Sequence, residues 1–195
     1  MILSDRSIKE KLKTGEISIS PFSEEFVQPA SYDLHLDKTV LIFNTDKHEL
    51  IDVKKPIDDL MLKIEIDDKE GYILKPTQFI LANVVEITGV DDKHVGRLEG
   101  KSSLARMGLI IHTTAGFLDP GNKLRLTLEM VNLSPLPIKL YPGMKIGQIA
   151  FEELDEKCDR PYGTTGLGNK YVGDMTVTAS QMWKNFKEEK NEQED

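Results

Sequence analysis

Cysteine is almost absent from this sequence: Cys158 stands alone, which excludes an internal disulfide and any cysteine-built zinc cage. Long apolar runs are missing too. None approaches the roughly 20 residues that a membrane helix needs. The opening MILSDRSIKEKL turns polar at once, unlike a secretory signal, so a cytoplasmic protein away from any membrane is expected. Positive charge is in the minority, 25 Lys and Arg against 33 Asp and Glu, and the net charge of −8 argues against binding nucleic acid. A small anionic ligand stays open, because a few local cations and backbone N–H groups suffice to hold one. The histidines His35, His48, His94 and His112 show neither H-x-x-x-H nor H-x-E spacing, and no P-C-x-x-C is present. A zinc-activated water is therefore not expected, and hydrolysis would fall to a carboxylate.

What is present describes one domain with a sizeable core, 195 residues of which 39% are hydrophobic. Ser4-Asp5, then Ile8 and Leu12 at helical spacing and Gly15, predict a short N-terminal helix. Strands are expected at Ser31–Leu36, Val40–Phe43, Met61–Ile66, Tyr72–Leu74, Phe79–Val85, Glu86–Val90, Leu124–Val131, Ile138–Tyr141 and Ile146–Phe151. So many short strands with Gly and Pro between them mean an all-β fold, a barrel or a jelly-roll-like sandwich. No internal repeat is visible. From residue 159 to about 180 the chain is rich in Gly, Thr and Asn and reads as a mobile surface loop, after which Ser180 caps a final turn bearing Trp183 and Phe186. The domain is thus expected over 1–183, with a disordered acidic tail over 184–195.

The chemistry concentrates in residues 96–129, GRLEGKSSLARMGLIIHTTAGFLDPGNKLRLTLE. Gly100-Lys101-Ser102 is not a phosphate loop of the G-x-x-x-x-G-K-[ST] kind, since only three residues separate it from Gly96 and no βαβ unit surrounds it. Lys101 and Arg106 still offer charge, and Ser102 and Ser103 hydroxyls, to phosphate oxygens. On spacing alone an ordinary polar turn is the commoner reading. Asp119-Pro120-Gly121 is a turn in which Asp accepts from its own backbone. Within β-period geometry Arg125, Thr127 and Glu129 share one face, and Leu126, Leu128 and Met130 the other. Glu129 is either a solvated strand carboxylate, the commoner case, or a proton shuttle beside a bound ligand.

These residues, with TLE, PLPIKLYPGMKIGQIAF, the opening MILSDRSI, VQPASYDL at Val27–Leu34, and the later PYG and KY, closely resemble the dCTP deaminases of the trimeric dUTPase superfamily. The resemblance implies a dUTPase-like β-clip or distorted jelly-roll homotrimer with active sites shared between subunits. It also implies Mg²⁺ carried on the triphosphate, and no zinc. Glu129 would activate water for attack on C4 of cytosine, with Ser102 and the backbone of Ala115 holding that water and Arg106 supporting Glu129. The triphosphate would lie along Lys101, Ser102, Ser103, Leu104, Ala105 and Arg106, with Gln148, Tyr162 and Lys170 closing on it. Asp119 would meet the deoxyribose, and Thr127 and Leu128 the base.

Gly116-Phe117 after Ala115 resembles the bifunctional branch, which also cleaves the α–β phosphate bond. In that reading dCTP or dUTP is carried to dUMP for thymidylate synthesis, and Asp119 and Gln148 help place the second water. The alternatives are a deaminase that releases dUTP, a plain dUTPase, and a non-catalytic nucleotide-binding module. Two positions depart from the family pattern. Asp174 stands where a glutamine is usual in Y-x-G-Q, and Asn122-Lys123-Leu124-Arg125 replaces aromatic-x-Gly-x.

Overall fold

Ser4 opens the first element by accepting a hydrogen bond from the Ser7 N–H, and Gly15 closes it in the left-handed region at φ 81°. Between them α1 (Asp5–Thr14) carries Asp5 in its first turn and Lys11 and Lys13 in its last, and it buries Ile8. This is the computed structural model of the chain, and it describes residues 1–46 and 49–186. His48 and residues 187–195 of the expected tail lie outside the described residues.

The strands that follow are β1 (Ile17–Ser20), β2 (Val27–Gln28), β3 (Ser31–Phe43), β4 (Met61–Glu65), β5 (Tyr72–Leu74), β6 (Phe79–Val90) and β7 (His94–Gly100). After a one-turn helix, α2 (Ser102–Ala105), come β8 (Leu109–Ile110), β9 (Phe117–Leu118), β10 (Lys123–Asn132), β11 (Ile138–Leu140) and β12 (Lys145–Glu153). A 3₁₀ turn, Met182–Phe186, ends the described chain and holds both Trp183 and Phe186, where a final turn is expected. The mainly β fold with a short N-terminal helix is thus as expected. Among the described residues no helix is long and apolar enough to cross a membrane.

Ten strands form one sheet along the path β8-β10-β6-β3-β12-β7-β9, with β1 added to β6 and both β2 and β4 to β3. β5 and β11 pair separately. Two long strands, β3 and β6, are the spine. Where two segments are expected in each, one strand runs through. β6 runs through Gly89 without a break. A Cβ there would come within 2.7 Å of Ser18 Oγ and 2.9 Å of the Lys123 side chain, so the glycine lets β1 and β10 close on β6 from both sides. In β3 the polar Asp37-Lys38-Thr39 sits where the register to β6 shifts between Leu36 and Val40, a bulge that keeps the strand going.

β7 is not among the strands expected from the sequence. Gly96 lies under Ile149 and Leu118, whose side chains fill the space a Cβ would take. The core gathers the inward residues of these strands, among them Tyr32, Leu34, Ile80, Val84, Leu128, Met130, Ile149 and Phe151, all fully buried. Each such side chain contributes about 1.5–3 kcal/mol of burial.

Candidate active site

β10 alternates as its sequence dictates. Leu126, Leu128 and Met130 enter the core, and Arg125, Thr127 and Glu129 line the opposite face. That face is one wall of a cavity of about 500 Å³. Thr113, Ala115 and Phe117 form a second wall, Asp119 a corner, and Tyr162, Tyr171 and Asp174 the cover. Beyond Glu129 the cavity turns apolar with Phe43, Phe79 and Leu81. Glu129 is half-buried on this wall. Its Oε2 accepts two hydrogen bonds from Thr113, one from the N–H at 3.2 Å and one from the hydroxyl at 3.1 Å.

The Asp119-Pro120-Gly121 turn forms as expected, but its cap is the Asp119 carbonyl, which accepts from the Asn122 N–H at 3.1 Å. The Asp119 carboxylate lines the cavity instead, and burial raises its pKa above the ordinary 3.8. Gly121, at φ 83°, lets Pro161 pack where a Cβ would clash at 2.6 Å, and the Tyr162 N–H donates to the Pro120 carbonyl. The Gly/Thr-rich segment is thereby anchored beside Asp119 at its start. Ala179 anchors its end in a small apolar cluster with Ile57 and Leu60.

Both departures from the family pattern meet in this cover. Asn122 Oδ1 accepts from the N–H groups of Lys123 and Gly173, and the Asp174 carbonyl accepts from the Arg125 N–H at 2.9 Å. The Asp174 carboxylate takes the Thr178 hydroxyl at 2.6 Å and the Thr176 N–H at 3.3 Å. Its charge is thus engaged inside the segment. The Arg125 guanidinium pairs with Asp37 at 2.8 Å in the cavity wall.

Gly116 has a physical reason to be glycine. Its carbonyl accepts from the Leu98 N–H at 2.7 Å, and a Cβ would come within 3.1 Å of the Leu98 carbonyl and 3.2 Å of the His112 ring. Residues 112–116, which carry Thr113 and Ala115, therefore lie flat on β7. Phe117 is exposed at the cavity edge, with the Arg97 guanidinium over its ring.

The remaining expected residues do not line this cavity. Lys101 and Gln148 sit where β3, β7 and β12 meet. Lys101 and Lys145 both bond to Asp33, which is 1% exposed, Lys145 at 2.9 Å. Gln148 accepts from the Ser31 hydroxyl and donates to the Gly100 carbonyl. Burial pushes the Asp33 pKa up, but the two lysines outweigh it and hold it below the ordinary carboxylate value. On α2, Ser102, Ser103, Ala105 and Arg106 are exposed, while Leu104 is buried as the anchor. Lys170 donates to the Gly168 carbonyl. Leu128 is fully buried on the core face, so its side chain cannot line a base pocket and only its main chain is left for that role.

Thr113, Arg125 and Tyr171 line the cavity and Lys145 joins the Asp33 cluster, none of them singled out as a candidate from the sequence. Arg125 was detectable, since it shares the Glu129 face; the others depend on how distant segments pack.

A family model for dCTP deaminase-like proteins matches residues 2–154. A Corynebacterium jeikeium protein named dCTP deaminase, dUMP-forming, is 45% identical over 186 residues, covering 95% of this chain and 99% of its own. One of the same name from Mycobacterium avium is 43% identical over 186 residues, covering 95% and 98%. The crystal structure of 2′-deoxycytidine 5′-triphosphate deaminase from Agrobacterium tumefaciens matches with a TM-score of 0.60 at 20% identity over 77% of this chain. This chain spans 47% of that one, and the likeness shows the fold.

Proposed function

This chain belongs to the dCTP deaminase-like family, and from that premise we propose that it converts dCTP and two waters to dUMP, diphosphate and ammonia. The observation that carries the reading is Glu129, a carboxylate that faces a cavity of about 500 Å³ between β10, the 112–119 loop and the cover. Glu129 takes a proton from a water held at the Ala115 N–H, and the oxygen adds to C4 of cytosine while the proton passes to N3. The new hydroxyl then gives its proton, through the same carboxylate, to the amino group, which leaves as ammonia. Thr127 faces the base and Asp119 the deoxyribose. A second water cleaves the α–β phosphate bond, placed with the help of Asp119 and Gln148.

One chain lacks the triphosphate half of such a site. α2 turns Ser102 and Arg106 outward, and neither lines the Glu129 cavity. This supports a homotrimer in which residues 101–106 and Gln148 of a neighbouring copy complete each cavity. Tyr162 and Lys170 close the cover over the nucleotide, which makes 159–180 its lid. Asp174 contributes by folding that lid.

Mg²⁺ is the metal that accompanies such a substrate, and it neutralises phosphate charge when bound. In this reading the metal is held mainly by phosphate oxygens and water. Such a reaction belongs with the nucleotide pools of the cytoplasm.

The test is chromatography of the products from dCTP and Mg²⁺, with Glu129→Gln alongside. Ammonia, diphosphate and dUMP in equal amounts, absent in the variant, are expected. Accumulating dUTP would leave the deamination and remove the second step. No ammonia from the wild type would overturn the reading.

A further inference from the structure

A carboxylate that moves protons has two oxygens, and catalysis needs the proton on the one that faces the reacting atoms. In this chain the choice is made by Thr113. Its backbone N–H and its hydroxyl both reach Glu129 Oε2, at 3.2 and 3.1 Å, from the loop across the cavity. Oε1 has no hydrogen-bond partner among the described residues. We propose that Thr113 is the positioning residue of the reaction: it holds Glu129 Oε2 and so confines the proton to Oε1.

Hydrogen-bond valence decides which oxygen carries the proton. A backbone N–H is an obligate donor and cannot accept. With the N–H and the hydroxyl both donating to Oε2, that oxygen is the less basic of the two, so a protonated Glu129 carries its proton preferentially on Oε1, and the hydroxyl supplies one of the two bonds that set this preference. The two bonds also hold the carboxylate plane, whose torsion is otherwise broad. A proton taken from water and then handed to the base therefore leaves from the same atom, with no rotation between the steps. Thr113 is tied to the water site as well. It shares its loop with Ala115, and that loop is pinned to β7 through Gly116, whose carbonyl takes the Leu98 N–H at 2.7 Å. The base and the water-holding N–H are in this way set against each other by five consecutive residues.

The sequence alone does not reveal this role. A threonine between a histidine and a second threonine reads as loop, and its distance from Glu129 is sixteen positions.

The proposal rests on the reading of Glu129 as the base, and the experiment separates the two. Thr113→Val keeps the shape and removes the hydroxyl; Thr113→Ser restores it; Glu129→Gln tests the base itself. Each is assayed with dCTP and Mg²⁺ for ammonia release over a range of substrate concentrations. Thr113→Val should lower kcat about ten- to a hundredfold, the scale of one hydrogen bond to a charged group, with KM within about threefold of wild type. Thr113→Ser should return kcat to within about threefold of wild type. Thr113 is exposed, so the unfolding midpoints of both variants should match the wild type. A wild-type kcat in Thr113→Val, a loss confined to KM, or a serine variant as impaired as the valine would overturn the proposal. Turnover by Glu129→Gln would instead overturn the base assignment.

Discussion

Asp33 shows how far single residues here depend on their partners. It is 1% exposed, and burial alone would favour its neutral form, yet Lys101 and Lys145 bring it below the ordinary carboxylate pKa. The folded state therefore binds this proton less readily than the unfolded chain does. The stabilisation is complete above the ordinary value of 3.8 and is lost as pH falls through the lower folded-state value. Asp33→Asn should cost about 1–3 kcal/mol at pH 7, measured by urea unfolding, and the gap to wild type should narrow in acid. A gap of constant size down to pH 3 would show that the lysine pair contributes nothing through charge. Asp119 is the opposite case. Burial raises its pKa, with no offsetting cation among the described residues.

At the scale of elements, the sequence was most legible where periodicity alone decides. The Ser4 cap, the Gly15 stop and the alternation from Leu124 to Val131 follow from side chains that need only their own element to be interpreted. The roles of Gly89 and Gly96 were not legible for the same reason: each is a place where a neighbouring side chain needs room, which the local sequence does not show. The cover over the cavity was legible as a loop by its Gly and Thr content, but not its attachment. That attachment joins Asn122 to Gly173 and Arg125 to Asp174, residues some fifty positions apart. Asp174, which stands where the family pattern has glutamine, is bonded to Thr178 and Thr176. Asp174→Ala removes this clasp. Proteolytic cleavage within residues 171–178 should then run about tenfold faster, the scale of one lost hydrogen bond to a charged group. An unchanged rate would mean that the segment is held by other contacts, chiefly Ala179.

For the whole molecule, the family motifs name the expected site residues and imply a site shared between subunits, and in a single chain those residues fall into two groups. Glu129, Thr127, Ala115 and Asp119 share one cavity; Lys101, Arg106 and Gln148 lie outside it. Neither part is a complete machine for a nucleoside triphosphate. The first has the carboxylates and room for a base, and the second has the cations. The proposed joining between copies would also reconcile a chain of net charge −8 with a polyanionic substrate, since the lysine and arginine of one copy would meet the acidic cavity of the next.

The measurement that tests this account most directly mixes two inactive proteins. Glu129→Gln and Arg106→Ala are each expected to be without ammonia release from dCTP. Co-expressed and assembled at random in equal amounts, they should regain about a quarter of wild-type activity, because one site in four then draws Glu129 and Arg106 from intact copies. Mixed assemblies that stay as inactive as either parent would contradict a site shared between chains.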